Sequence, residues 1–169
     1  MRWDHLFADL EGQLEAERSA QFQADVAELT RAERAAVELT SRVLAQKGAE
    51  VVVALVTGDT VRGTVADAAA QWILLAEGAR QVLVPRAAIA AVHGLGSRTR
   101  AATEVERRLS LGHALRALSR DRARVVVRTR GHELSGIVGA VGSDCVDIAT
   151  GAESTAVVPF DAIVTVRQA

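Results

Sequence analysis

One cysteine, one lysine, two prolines and no tyrosine are what first set this 169-residue chain apart. The lone Cys145 excludes a disulfide framework and a thiolate metal cluster, and with no histidine beside it in sequence it reads as a core or edge thiol. Aromatics are confined to Trp3, Trp72, Phe7, Phe22 and Phe160, too few for a platform that stacks single-stranded bases. No run approaches the roughly 18 apolar residues that cross a bilayer. The opening "MRWDHLFADLEGQLEAE" carries acids where a signal peptide needs an apolar core. The expectation is a cytoplasmic chain without membrane contact. His5, His93, His113 and His132 have no second His or acid at metal-ligand spacing, so neither metal nor cofactor is expected. The stretch "HGLGSRTR" (93–100) has glycines but lacks the Lys-Ser/Thr of a phosphate loop and reads as a linker.

What is present is apolar mass: 49% of residues, mostly Val, Ala and Leu, enough for a packed core. Charge is near balance overall but unevenly placed. Residues 98–130 hold ten arginines (Arg98, Arg100, Arg107, Arg108, Arg116, Arg120, Arg122, Arg124, Arg128 and Arg130) against Glu104, Glu106 and Asp121. Residues 1–47 carry nine acids and six bases. A basic segment of this kind either tracks phosphate or pairs with an acidic surface of its own or another chain.

The chain also repeats itself. A shift of 73 lays Gly58 on Gly131, Gly63 on Gly136, Val65 on Val138, Ile73 on Val146 and Leu75 on Ile148. One residue later, a shift of 74 lays Val84-Pro85 on Val158-Pro159, Ile89 on Ile163 and Val92 on Val166. Each copy reads as five short strands, at 51–57, 60–68, 72–77, 81–85 and 89–92, then at 124–130, 133–141, 145–150, 155–159 and 163–166. Gly58 and Gly131 suit turns with positive φ, and Gly63 and Gly136 mark a bend within the second strand. Pro85 and Pro159 remove one amide donor, which predicts a strand end or an exposed edge. Crossover helices have no room, so each copy predicts a small, strongly curled, partly open antiparallel barrel.

A helical pattern precedes each copy. Residues 103–120 open with Thr103 and Glu106 at capping-box spacing, followed by Leu109, Leu111, Leu115 and Leu118. Residues 2–47 lack proline and end at Gly48, a C-cap glycine. Their apolar stripe (Trp3, Leu6, Phe7, Leu10, Leu14, then Phe22, Val26, Leu29, Ala36, Val43) shifts phase near residues 18–21. That predicts one long helix with a stutter, about 65 Å if unbroken, or two helices. The organisation expected is a helical segment at 1–48, a first barrel at 49–93, a linker and helix at 94–121, and a second barrel at 122–169. The class is α+β.

A helix followed by five strands, with one Gly after the first strand and another in a bent second strand, resembles the Sm-like fold, whose spacing SH3-like barrels share. The third strand of copy two, "SDCVDIAT", is similar to the Sm pattern at Asp144, Val146, Asp147 and Ile148; copy one has Gln71, Ile73, Leu74 and Leu75 there. The copies end like the bacterial Sm-like RNA chaperones, whose Lys-His pair helps hold uridine-rich RNA. Here the matching positions are Phe160-Asp161 and Arg86-Ala87, and an Asp in that place repels phosphate. The whole chain looks like tandem-barrel proteins of high-GC bacteria, and it has no helix-turn-helix pair.

Tandem small barrels expose edge strands that accept partner strands, so the expectation is a non-enzymatic binding or scaffold protein that associates with itself through the N-terminal helix or barrel edge strands. The alternative is an RNA- or DNA-binding protein using Arg98, Arg100, Arg107, Arg108, Arg122, Arg124, Arg128, Arg130 and Arg86 with Asp144 and Asp147. A catalytic or small-ligand protein is not expected, because Val/Ala-rich strands should fill narrow interiors and leave no pocket between the copies.

Overall fold

The computed structural model describes the backbone of residues 2–169 and side-chain surroundings from residue 12 onward. The chain divides into two compact units, Met1–Glu38 and Leu39–Ala169. The first is helix α1, Arg2–Ala35, which runs through residues 18–21 without a break. Of the two expected arrangements the unbroken helix is the one formed, but it stops at Ala35 rather than near residue 47. Its ladder ends where Ala36 N–H is shared between Ala32 O and Glu33 O, each at 3.2 Å. Leu14, Phe22, Val26 and Leu29 are all exposed, Phe22 by 70%. The Trp3, Leu6, Phe7 and Leu10 portion of the stripe, and His5, lie outside the described side chains.

The second unit opens with the single turn-and-a-half of α2 (Leu39–Leu44), whose Thr40, Val43 and Leu44 are buried. Gly48 then adopts φ +84° and its N–H reaches Val65 O at 2.9 Å, which starts the first strand. Ten strands follow: β1 (Glu50–Leu55), β2 (Thr60–Ala69), β3 (Trp72–Glu77), β4 (Arg80–Pro85), β5 (Ile89–His93), β6 (Arg124–Thr129), β7 (Glu133–Val141), β8 (Cys145–Ala149), β9 (Thr155–Pro159) and β10 (Ile163–Gln168). Pro85 and Pro159 end their strands as expected, each followed by one turn of 3-10 helix, Arg86–Ala88 and Phe160–Ala162.

The sequence repeat is also a repeat of hydrogen bonds. Val51 faces Gly63 across β1–β2, and its counterpart Val125 faces Gly136 across β6–β7. Trp72 faces Pro85, and Cys145 faces Pro159. Gln71 O accepts from Arg86 N–H at 2.8 Å, and Asp144 O accepts from Phe160 N–H at 2.7 Å. In both second strands the register slips just past the bend glycine, between Val65 and Asp67 and between Val138 and Val141. A Cβ on Gly63 would lie 2.7 Å from Ala76 O, so the adjoining backbone admits only glycine.

The two expected five-stranded units are the halves of one open antiparallel sheet of ten strands, in the order β5-β1-β2-β3-β4-β10-β6-β7-β8-β9. The join is β4 against β10, with Val82 opposite Arg167 and Leu83 opposite Val166. Two apolar cores form on this one sheet. Val51, Val53, Val61, Val65, Leu75, Val82 and Val84 gather with Val43 and Leu44 of α2 in the first. Val125, Val127, Val138, Val146, Ile148 and Ile163 gather in the second with Leu111 and Leu115. The joining strands serve both: Val82, Val84 and Val164 enter the first core, while Leu83, Ile163 and Val166 enter the second. Alternate side chains of a strand point to opposite faces, so each of these two strands is buried on both.

The helix expected over 103–120 is two helices at a bend, α3 (Glu104–Arg108) and α4 (Leu111–Arg120). Thr103 and Glu106 form the predicted capping box; Ser110 and His113 form a second one that restarts the chain after an extended Leu109. A second correction concerns Gly131. Gly58 has φ +89°, but Gly131 is not left-handed. Its turn is held instead by the Thr129 hydroxyl oxygen, which accepts from His132 N–H at 2.9 Å.

Candidate functional site

The join between the copies creates a feature that the sequence reading excluded. A groove of about 460 Å³ lies along α4, beside the second-core face of β3, β4, β10 and β6. Trp72, Leu74, Leu83, Leu109, Leu118, Val125 and Val166 make its walls apolar, and His113, Arg116, Arg120, Asp121, Gln81 and Gln168 supply its polar lining. Those six polar residues are solvent-exposed. The expectation of no pocket between the copies fails because it was argued from strand interiors alone. Narrow interiors are filled, but the groove sits outside them, where strands of both copies meet one helix.

Neighbouring contacts hold this region in place. The Trp72 indole N–H donates to Ser110 O at 3.3 Å, and Gln71 Oε1 accepts from Leu111 N–H at 2.9 Å, satisfying the start of α4. At the far end Ser119 Oγ donates to Gly139 O at 2.6 Å, and Arg116 donates to Gly142 O at 3.3 Å. Two ion pairs cross the join: Arg128 to Asp59 at 2.6 Å and Arg167 to Glu77 at 3.3 Å. Thr165, fully buried on β10, accepts from the Arg167 guanidinium at 3.3 Å.

The arginines named from sequence are dispersed in role. Arg100 pairs with Glu106, Arg108 with Glu104 and Arg128 with Asp59. Arg98 lies in the linker, Arg107 on α3, Arg122 in the turn after α4 at φ +48°, Arg124 at the start of β6 and Arg130 just after its end. The positions that carried the chaperone resemblance do converge. Gln71, Arg86 and Ala87 of copy one share a shallow surface depression with Phe160 and Asp161 of copy two. It pairs a cation with an acid in place of two cations. Asp144 is exposed and Asp147 half-buried on either side of Cys145.

Burial pushes the Cys145 thiol upward, and the charges of Asp144 and Asp147 push in the same direction, so thiolate is scarce at neutral pH. Glu106 moves the other way. The Arg100 guanidinium, and after it the Thr103 N–H at 2.8 Å, hold its carboxyl below the usual range. Among the described residues no three His, Cys, Asp or Glu side chains gather as metal ligands, and no helix is long and apolar enough to cross a membrane.

Sequence reasoning missed Trp72, Leu83 and α4 as parts of one site. The available signal was Ser110-Leu-Gly-His113, a second cap that shows α4 starting afresh. Compared with known proteins, the chain matches no protein-family model and no curated protein sequence.

Proposed function

We propose that this chain is a non-enzymatic binding and scaffold protein, built from two Sm-like small barrels and acting through self-association and protein contacts. The observation that carries the reading is the β4–β10 join. It pairs the fourth strand of one copy with the fifth strand of the other, and leaves a fifth strand, β5, and a fourth strand, β9, as the sheet's two edges. The edges are thus the same kinds of strand that already pair inside the chain. Exposed edges with unpaired N–H and C=O groups accept further strands. Val157 on β9 occupies the repeat position of Leu83 yet is 63% exposed, whereas Leu83 is 5% exposed. A head-to-tail contact, β9 of one chain on β5 of the next, would bury it in the same way.

The test is the solution mass across a wide concentration range, for the natural chain and for Val157→Lys. Association that grows with concentration and is suppressed by Val157→Lys supports edge pairing. Association unaffected by that change moves the contact to the exposed stripe of α1, checked with Phe22→Glu. A monomeric mass at every concentration overturns self-association.

A nucleic-acid reading has one observation in its favour: Arg98, Arg107, Arg122, Arg124 and Arg130 are without an ion-pair partner among the described residues. Titration with RNA and duplex DNA at two salt concentrations tests it. Saturable binding that weakens with salt and disappears in Arg122→Ala/Arg124→Ala/Arg128→Ala would establish it.

A further inference from the structure

We infer that the groove beside α4 is a binding site for a small anionic amphiphile, a molecule with one apolar chain and one carboxylate-type head. Its volume of about 460 Å³ lies within the range of pockets that enclose small molecules. The body of the ligand meets the half-buried Leu74, Leu109 and Leu118, with the buried Trp72, Leu83 and Val166 beneath them, and none of these offers it a charge. Contact with these walls favours any apolar chain by area alone.

The head is specified by what lines the mouth. His113, Arg116 and Arg120 lie three and four residues apart on α4, and so share one side of the helix facing the groove. Neither arginine has a carboxylate partner among the described residues. Arg116 spends one donor on Gly142 O, which fixes its stem and leaves the rest of the guanidinium unengaged. His113 Nδ1 accepts from Ser110 N–H at 3.2 Å, so the neutral ring carries its proton on Nε2 and offers a further donor. Asp121 is the one acid in the lining, so the mouth stays net positive. An apolar wall with a cationic mouth discriminates by charge sign, favouring decanoate over a cation of equal chain length.

The site is independent of the self-association reading, because none of its residues lies on β5 or β9. The experiment is isothermal titration of the full chain with decanoate and with decyltrimethylammonium, below their micellar concentrations. The double variant Arg116→Glu/Arg120→Glu is titrated in parallel. Both side chains are solvent-exposed, and a thermal melt verifies that the fold is retained. Decanoate should bind one site per chain, tighter than the cation by about tenfold or more, as expected when a charged hydrogen bond is gained. The variant should lose that preference or invert it. Absence of saturable decanoate binding overturns the proposal, as does equal affinity for the two chains or a preference that survives the charge reversal.

Discussion

Leu83 and Val157 hold the same position in the two repeats, and truncating each to alanine should give very different results. Leu83 is 5% exposed, packs into the second core and pairs with Val166 across the join. Val157 is 63% exposed on the free edge strand. Buried Leu→Ala changes cost about 2–5 kcal/mol, with the high end reserved for sites that leave a sealed cavity. Leu83 borders the α4 groove, so the space it vacates opens into an existing one. The expected loss is therefore about 2–3 kcal/mol. Val157→Ala removes little buried area and should cost less than about 0.5 kcal/mol. Urea denaturation of the full chain at low protein concentration measures both, and thermal midpoints should separate by roughly 5–12 °C for a unit of this size. The two variants coming within about 0.5 kcal/mol of each other would refute the idea that β4 is buried by the second repeat. A Val157→Ala penalty that grows with protein concentration would mark the edge as an interface.

Three further outcomes are expected. Gly63→Ala should cost about 1–3 kcal/mol, because its Cβ would press on backbone at 2.7 Å, whereas Gly131→Ala, with nothing within 4 Å, should be close to neutral in the same denaturation assay. A double-mutant cycle on Arg128→Ala and Asp59→Ala should yield a coupling of about 0.5–1 kcal/mol that fades with salt, since the pair is 36% and 44% exposed. The Glu106 carboxyl is held low in the folded chain, so its contribution is complete above the unfolded pKa and disappears as pH falls through the lower folded value. Glu106→Gln should flatten the acid side of the stability profile; identical acid limbs would disprove the role given to Arg100 and Thr103.

Much of the local structure was legible because its causes are local. The short valine-rich runs "VVVALV" and "RVVVRT" specify strands, Val-Pro ends two of them, and a bend glycine recurs where neighbouring backbone leaves no space for a Cβ. The Thr103–Glu106 cap was equally readable. The Ser110–His113 cap was hidden by a leucine pattern that continues smoothly across the break. Gly131 misled because a threonine hydroxyl closes its turn without a left-handed residue.

By itself, the sequence determined the duplication, the ten strands, and the helical character of the segment before each set. Tertiary structure decided which strands meet. "QVLVP" and "TAVVP" are close variants of one phrase, as are "IAAV" and "IVTV". Yet β4 and β10 are buried on both faces while β5 and β9 stand at the edges. Strand pattern encodes the faces of a ribbon, but its partner is chosen by hydrogen bonds and packing between residues some eighty positions apart. The groove arises from that pairing, and each repeat by itself encodes only one of its walls.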